Sequence, residues 1–154
     1  YQSIVALEPD ERSFRKLREY CGQEGLQRAR LYQMGASSAP GEGCFTGNVG
    51  RGGAFAPGKG KGGKPVQLTS VDRLLQGEEV TFLKLDVEGA EQDALLGSEE
   101  TIRRFRPKLE VACYHRSEDL FALPKLIHSL DASYRIYLRH HPYIPAWETN
   151  LYCV

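Results

Sequence analysis

The stretch that decides the fold of this 154-residue chain is VTFLKLDVEGAE, residues 80–91. Its first part is a short, largely apolar run that predicts a strand, and apolar residues at 94–96 then follow in a helical pattern. Three carboxylates, Asp86, Glu88 and Glu91, lie between the strand and the body of the helix. In an open α/β sheet, ligands bind just beyond the carboxyl ends of parallel strands. The sequence therefore predicts a functional site at this strand end.

The rest of the chain alternates between strand and helix patterns. This alternation predicts an α/β domain over residues 1–154 with a mostly parallel sheet, helices on both faces and an antiparallel strand pair at the C-terminus. The predicted strands are 4–7, 29–34, 65–69, 80–85, 109–114, 134–138 and 150–154, and the predicted helices are 9–21, 71–75, 91–105 and 119–130.

Residues 40–64 are a glycine-rich excursion, in which 10 of 25 residues are glycine. We expect a loose hairpin between 44–46 and 54–55, and a flexible remainder that acts as a lid. The lysine cluster at 59–64 lacks the spacing and the Ser/Thr of a phosphate-binding loop, so it is interpreted as a solvated loop.

Composition excludes several classes of protein. The 20 basic and 20 acidic residues balance, which gives no electrostatic reason to expect nucleic-acid binding. We expect no membrane span, because no run approaches the roughly 20 apolar residues that one requires. The four cysteines form no CxxC pair, which argues against a zinc site or a disulfide framework and favours free thiols in a reducing, cytoplasmic compartment.

The acidic cluster has three interpretations. It could bind a divalent cation through carboxylate oxygens. It could bind an ammonium group or act as a general base toward a substrate hydroxyl. It could also be an ordinary acidic helix start, which explains Glu91 well and Asp86 poorly. Lys84 points to the same face of the strand as Asp86, so the two side chains could form an ion pair.

Two further strand ends carry candidate residues. Glu8 follows the first strand, where a carboxylate can accept hydrogen bonds from both hydroxyls of a ribose. Alternatively it is a charge favoured by the dipole of a helix that opens at Pro9. Ala36 and Ser37 follow the second strand, where small residues leave room for a flat ring, or form a plain turn.

The histidines differ in how well they are placed. His115 follows a strand and is the best candidate for acid–base work, with a structural, hydrogen-bonded role as the alternative. His140 and His141 are adjacent in an extended segment, so their side chains face opposite ways and joint ligation of one metal is not expected. One of them, with Arg139, could reach the cleft.

Taken together, these residues resemble the FkbM-type S-adenosylmethionine-dependent methyltransferases over essentially the whole chain. The most specific segment is FLKLDVEGAE, residues 82–91, followed by Leu95, Leu96 and Gly97. The other matching segments are LEP at 7–9, GASS at 35–38, LTSVDRLL at 68–75, YHR at 114–116 and YLRHH at 137–141, the last two being similar to a bacterial branch of the family.

The resemblance implies a Rossmann-like class I fold and O-methylation of a hydroxyl on a small molecule or glycan, with S-adenosylmethionine as the cofactor. Glu8 and Pro9 would lie at the ribose, Ala36 and Ser37 at the adenine, and Asp86 at the methionine part. We add the inference that Glu88 or His115 is the base that takes the hydroxyl proton. No residue is assigned to a metal.

The chain departs from the family pattern at its start. Class I methyltransferases have a first strand and a glycine-rich loop before the Glu8 strand, whereas this chain begins at Tyr1. Either upstream sequence has been removed, or the Glu8 and Asp86 strands pair directly. We expect weak or no cofactor binding by the chain as given, and an uncovered sheet edge that favours homo-oligomers.

Two other functions remain open. The first alternative is a non-catalytic, methyltransferase-like binding or assembly module, which the absent glycine loop supports. The second is a nucleotide-sugar-binding enzyme of similar layout. That enzyme would need a cradle for pyrophosphate, and the glycine-rich candidate around residues 58–63 follows no predicted strand.

Overall fold

A computed structural model of the chain describes residues 2–46, 54–57, 64–142 and 148–154. The α/β prediction is confirmed. In chain order the elements are β1 (Ile4–Leu7), α1 (Glu11–Gln23), β2 (Ala29–Tyr32), β3 (Gly35–Ala36), β4 (Gly41–Thr46), β5 (Ala54–Pro57), β6 (Lys64–Thr69), α2 (Val71–Leu75), β7 (Phe82–Leu85), α3 (Glu91–Leu96), α4 (Glu99–Phe105), β8 (Lys108–Ala112), α5 (Asp119–Leu130), β9 (Ile136–His140) and β10 (Thr149–Cys153).

The expectation of one mostly parallel sheet is wrong for the described residues. The strands form three sheets, with the orders β1-β2, β7-β8-β10-β9 and β3-β6-β4-β5. Only the pairs β1·β2, β3·β6 and β7·β8 are parallel. The glycine-rich excursion contributes the antiparallel pairs β4·β5 and β4·β6, and β10 lies antiparallel between β8 and β9. The predicted C-terminal strand pair and the predicted hairpin are thereby confirmed.

The strands that carry Glu8 and Asp86 do not pair with each other. Within the described part of the chain, β1 is hydrogen-bonded only to β2 and β7 only to β8. The alternative in which these two strands pair directly is therefore wrong for the described residues. The lid predicted within residues 40–64 falls largely on 47–53 and 58–63, which lie outside the described residues.

The predicted helix 91–105 is two helices that break at Gly97. A Cβ atom at Gly97 would lie 2.0 Å from the carbonyl oxygen of Ser37 and 3.0 Å from the Cβ of Ser70. The break therefore lets the helical segment approach the end of β3 more closely than a side chain would permit. Asp72 binds the free amides at the start of α4: its Oδ2 accepts the amide of Glu100 at 2.9 Å, and its Oδ1 accepts the amide of Thr101 at 2.8 Å.

The buried core lies between the β7-β8-β10-β9 sheet and helices α3, α4 and α5. Its fully buried side chains include Leu95, Ile102, Val111, Leu123 and Ile127, each 0% exposed. Helix α1, in contrast, has no buried residue, and β1 and β2 are only half-buried. None of the described helices is long and apolar enough to cross a membrane. Cys113 and Cys153 are buried free thiols, as predicted.

Candidate active site

The turn between β7 and α3 has a backbone that side chains rarely adopt. Glu88 has φ +53° and Gly89 has φ +92°, so two successive residues are in the left-handed region. A non-glycine residue with positive φ is uncommon, and such strain is concentrated at functional sites. Arg116 lies against this turn, because a Cβ at Gly89 would be 3.2 Å from its Nε.

The turn wraps around the carboxylate of Glu91. Oε1 of Glu91 accepts the backbone amide of Val87 at 3.0 Å and, at a longer 3.4 Å, that of Gly89. The side chain is 1% exposed, and its second oxygen, Oε2, is buried without a hydrogen-bond partner. A buried ionised carboxylate needs compensation from hydrogen bonds or opposite charge, and here the amides supply part of it.

His115, just beyond the end of β8, lies against the same carboxylate and adds to this compensation. Its Nδ1 lies 2.8 Å from Oε1 of Glu91, but an N–H on that nitrogen does not point directly at the oxygen, so the contact does not have the geometry of a hydrogen bond. On the other side of the ring, Nε2 lies 3.6 Å from Oδ1 of Asp86 and 3.5 Å from Oε2 of Glu88. The predicted catalytic residues Glu88 and His115 therefore lie together, and Asp86 lies beside them.

The pKa values in this cluster follow from burial and mutual charge. Burial alone would lower the pKa of His115, but the contact and charge of Glu91, then Glu88 and Asp86, raise it overall. Burial alone would raise the pKa of Glu91, but His115 and the amides lower it overall. Burial raises the pKa of Glu88, and the charges of Asp86 and Glu91 add to that effect against the opposing charge of His115.

Asp86 has a different partner from the one that the sequence suggested. The hydroxyl of Tyr114 donates a hydrogen bond to its Oδ1 at 3.0 Å. Lys84 instead donates to Glu110 at 2.9 Å, because the parallel register of β7 and β8 places these two residues opposite each other. The suggested Lys84–Asp86 ion pair is therefore replaced by a cross-strand pair.

Asp86, Glu91 and His115 each place one potential ligand atom within 4.8 Å of the others, and so could hold a metal ion. Oε1 of Glu91, however, already accepts two amides and contacts the histidine ring. We therefore interpret the group as an acid–base cluster. We call Asp86, Glu88, Glu91 and His115 the acid–histidine cluster.

Glu8 lies at the end of β1 and is half-buried. Its Oε1 accepts the backbone amide of Asp10 at 2.8 Å. Asp10 itself caps α1 by accepting the amide of Ser13 at 2.9 Å, so the helix begins at Glu11 rather than Pro9 and its cap is not Glu8. Burial raises the pKa of Glu8 most, and the charges of Asp10 and Glu88 raise it further. The charge of Glu88, a member of the acid–histidine cluster, is therefore one of the smaller contributions to the raised pKa of Glu8.

The residues predicted at the adenine are buried in the structure. Gly35 and Ala36 form β3, which runs parallel to β6, and the amide of Ser37 donates to the carbonyl of Thr69 at 2.9 Å. Ala36 is 9% and Ser37 6% exposed. The segment is thus a short strand, where a plain turn was the alternative, and its side chains pack inward.

His140 and His141 have separate partners. Nδ1 of His140 lies 2.9 Å from the hydroxyl of Thr149, and Nε2 of His141 lies 3.0 Å from the hydroxyl of Tyr152. Neither histidine forms an ion pair with the acid–histidine cluster among the contacts described.

Sequence reasoning underestimated two residues. The sequence leaves Glu91 well explained as an ordinary acidic helix start, one of three interpretations of the acidic cluster, and it assigns no role to Tyr114. The available signal is position: Glu91 follows a Glu-Gly pair that can turn back on itself, and Tyr114 comes just after the strand beside β7.

The fold and the cluster together define an α/β protein with an acid–base site at parallel strand ends. A family model, the methyltransferase FkbM domain, matches residues 2–144. The chain belongs to the FkbM methyltransferase family.

Solved structures agree with this. The chain is similar to methyltransferase FkbM from Methylobacillus flagellatus KT, with 28% identity and a TM-score of 0.79 over 99% of this chain and 36% of that one. It thus spans about a third of that protein. SMU.1697c from Streptococcus mutans, crystallised in complex with SAH, has a similar fold at 12% identity and a TM-score of 0.50, over 99% of this chain and 76% of that one. No functionally curated protein matches the chain.

Proposed function

We propose that this chain is the catalytic part of an S-adenosylmethionine-dependent methyltransferase with a Rossmann-like class I fold, which methylates a hydroxyl oxygen of a small molecule or glycan. Family membership supports the reaction class. The observation that carries the site is the acid–histidine cluster at the carboxyl end of β7, where Nε2 of His115 lies 3.5 Å from Glu88 and 3.6 Å from Asp86. A neighbour of similar fold that was crystallised with SAH is consistent with the cofactor.

The charge of the site fits this cofactor. S-adenosylmethionine supplies a methyl group on a positively charged sulfur and also carries an ammonium group. Glu8, Asp86 and Glu88 offer three carboxylates that are not fully buried, so positive charge is favoured between them. In our proposal Asp86 holds the methionine end, while Glu8 and Pro9 hold the ribose. The amide of Asp10 occupies Oε1 of Glu8, and Oε2 is left for the hydroxyls.

Ala36 and Ser37 remain proposed neighbours of the adenine. Because their side chains are buried, any contact with the base would come from the backbone or from the strand end that they form. Methyl transfer depends mainly on holding the two reactants in position. Glu88 or His115 takes the proton from the acceptor hydroxyl, since the side chain of Glu88 is 41% exposed and Nε2 of His115 lies 3.5 Å from it.

We extend the proposal to the setting of the protein: a cytoplasmic enzyme that does not bind nucleic acid and has no membrane span. The unpaired outer edges of β1 and β7, as far as the described strands extend, support the predicted homo-oligomer.

Calorimetric titration with S-adenosylmethionine tests the proposal. It should be run on the wild-type chain and on two matched variants. We expect weak but measurable binding by the wild type and at least tenfold weaker binding after Glu8→Gln, with Glu42→Gln on β4 as a control that leaves the affinity unchanged. No binding by the wild type would contradict the proposal and favour the non-catalytic module.

A further inference from the structure

Two nitrogens of one imidazole ring face carboxylates in the acid–histidine cluster, but the two sides are not equivalent. Nδ1 is 2.8 Å from Glu91, whose side chain is 1% exposed. Nε2 is 3.5–3.6 Å from Glu88 and Asp86, whose side chains are 41% and 36% exposed. The shorter distance strengthens the attraction to Glu91, and burial protects it from screening by solvent and salt.

A neutral imidazole carries one proton, so the cluster must favour one nitrogen over the other. The Nδ1 side offers a close, buried carboxylate whose Oε1 is held by the amides of Val87 and Gly89. The Nε2 side offers contacts of 3.5–3.6 Å, at or beyond the limit of a hydrogen bond, to side chains that solvent can screen. An N–H on Nδ1 does not point directly at Glu91 either, so the advantage of that side is the shorter distance and the burial of the carboxylate. The proton is therefore more stable on Nδ1.

We propose that Glu91 is a positioning residue, which keeps the proton of neutral His115 on Nδ1 and leaves Nε2 as the basic nitrogen toward the open side of the cluster. The inference rests on the proposed function and assigns the role of base within it to His115. The proton of the acceptor hydroxyl passes from oxygen to Nε2, and the carboxylate of Glu91 stabilises the imidazolium that results. Glu91 itself does not touch the reacting atoms.

The charged groups around the ring support this role. Glu91 faces it from α3, and Asp86 and Glu88 face it from the turn after β7; their combined charge raises the pKa of His115. Asp119, at the start of α5, is 2% exposed, and after burial itself the charge of Glu91 is the main cause of its raised pKa. Arg116 acts on Asp119 in the opposite direction, because it lowers that pKa.

Nitrogen-15 NMR of the histidine-labelled chain tests the proposal, with His115→Gln used to assign the signal. In the wild type we expect the neutral ring to be protonated on Nδ1 and bare on Nε2. This measurement needs no substitution at Glu91, so it decides the question even if a variant does not fold. A neutral ring protonated on Nε2 would overturn the proposal.

Two matched variants sharpen the test. In Glu91→Gln we expect the neutral proton to move to Nε2, and the acid dissociation constant of His115 to rise at least tenfold. Glu88→Gln, on the other face of the ring, should keep the proton on Nδ1 and change that constant less. An equal or larger effect of Glu88→Gln would overturn the proposal, and unchanged signals from His128, His140 and His141 verify that each variant is folded.

The readout is independent of the cofactor. If S-adenosylmethionine does not bind while neutral His115 is protonated on Nδ1, the proposed function fails and the role of Glu91 in orienting the ring stands. If the cofactor binds and neutral His115 is protonated on Nε2, the proposed function stands and the role of Glu91 fails.

Discussion

The two regions that carry the proposed site are stabilised differently. Asp86, Glu88 and His115 lie on the β7-β8-β10-β9 sheet and its helices, whose core side chains are fully excluded from solvent. Glu8 lies on the β1–α1–β2 unit, in which α1 buries no residue and the strands are half-buried. The acid–base half of the site is therefore built on the well-packed region, and the ribose half on the weakly packed one.

The difference in packing between the two regions indicates which half of the site is held in position before a ligand binds. The acid–histidine cluster is fixed by backbone amides, a strained turn and a buried carboxylate. The side chain of Glu8 accepts one described hydrogen bond, from the amide of Asp10 two residues away, and the Glu8 amide donates to the carbonyl of Tyr32 at the end of β2. Catalytic groups must be held within fractions of an ångström, whereas a ribose contact tolerates more adjustment.

The largest difference between the regions is expected at two glycines. Gly97→Ala places a Cβ 2.0 Å from the carbonyl oxygen of Ser37, so backbone must shift, and we expect a loss of about 3 kcal/mol in unfolding free energy. Gly22→Ala in α1 meets no atom within 4 Å and should stabilise the chain by about 0.5–1 kcal/mol, because alanine favours helix. Urea denaturation measures both, and equal effects would contradict the comparison.

A smaller difference is expected at two capping aspartates. Asp72→Ala removes the acceptor of two amides at α4, in the well-packed region, and should cost about 2 kcal/mol. Asp10→Ala removes the acceptor of one amide at α1 and should cost about 1 kcal/mol or less. The same denaturation experiment compares them. A larger cost for Asp10→Ala would show that the β1–α1–β2 unit contributes more stability than its burial indicates.

The smallest effect is the pH dependence of the Glu91–His115 pair. Because folding lowers the pKa of Glu91, its ionised form stabilises the fold fully at pH values above the ordinary pKa of 4.5. This stabilisation is lost as the pH falls through the folded-state pKa. Because folding raises the pKa of His115, its protonated form stabilises the fold fully at pH values below the ordinary pKa of 6.5. This stabilisation is lost as the pH rises through the folded-state pKa. The pair therefore stabilises the fold most between about pH 4.5 and 6.5.

Denaturation of the wild type and of His115→Gln at a series of pH values checks this. The difference in unfolding free energy between the two chains should be largest near pH 5.5 and should decline above the folded-state pKa of His115. A difference that does not change with pH would mean that the pair contributes no charge-dependent stability.

Local patterns were enough to predict most of the fold. Apolar runs located β1, β7 and the C-terminal strands, and the predicted helix 71–75 is α2, which begins after Ser70, whose hydroxyl accepts the amide of Arg73 at 3.2 Å. The break at Gly97 could not be predicted, because its cause is a carbonyl sixty residues earlier in the chain. The Lys84–Glu110 pair likewise depends on the register between two strands, which no local pattern contains.

The candidate site was predicted in part for the same reason. The positions of Glu88 and His115 at neighbouring strand ends follow from the strand pattern, and the structure brings them together. The strand pattern does not predict which ring nitrogen of His115 carries the proton, because that depends on how deeply Glu91 is buried. The close approach of Gly97 to the carbonyl oxygen of Ser37 likewise joins segments that are distant in sequence, so no local pattern predicts it.

The central claim is that Glu8 and Asp86 bind the two ends of one cofactor molecule. Carbon-13 NMR of the side-chain carboxyls during titration with S-adenosylhomocysteine tests it most directly. We predict that both carboxyl signals shift along one saturation curve with the same dissociation constant. A shift of only one signal, or two curves with different midpoints, would contradict the account.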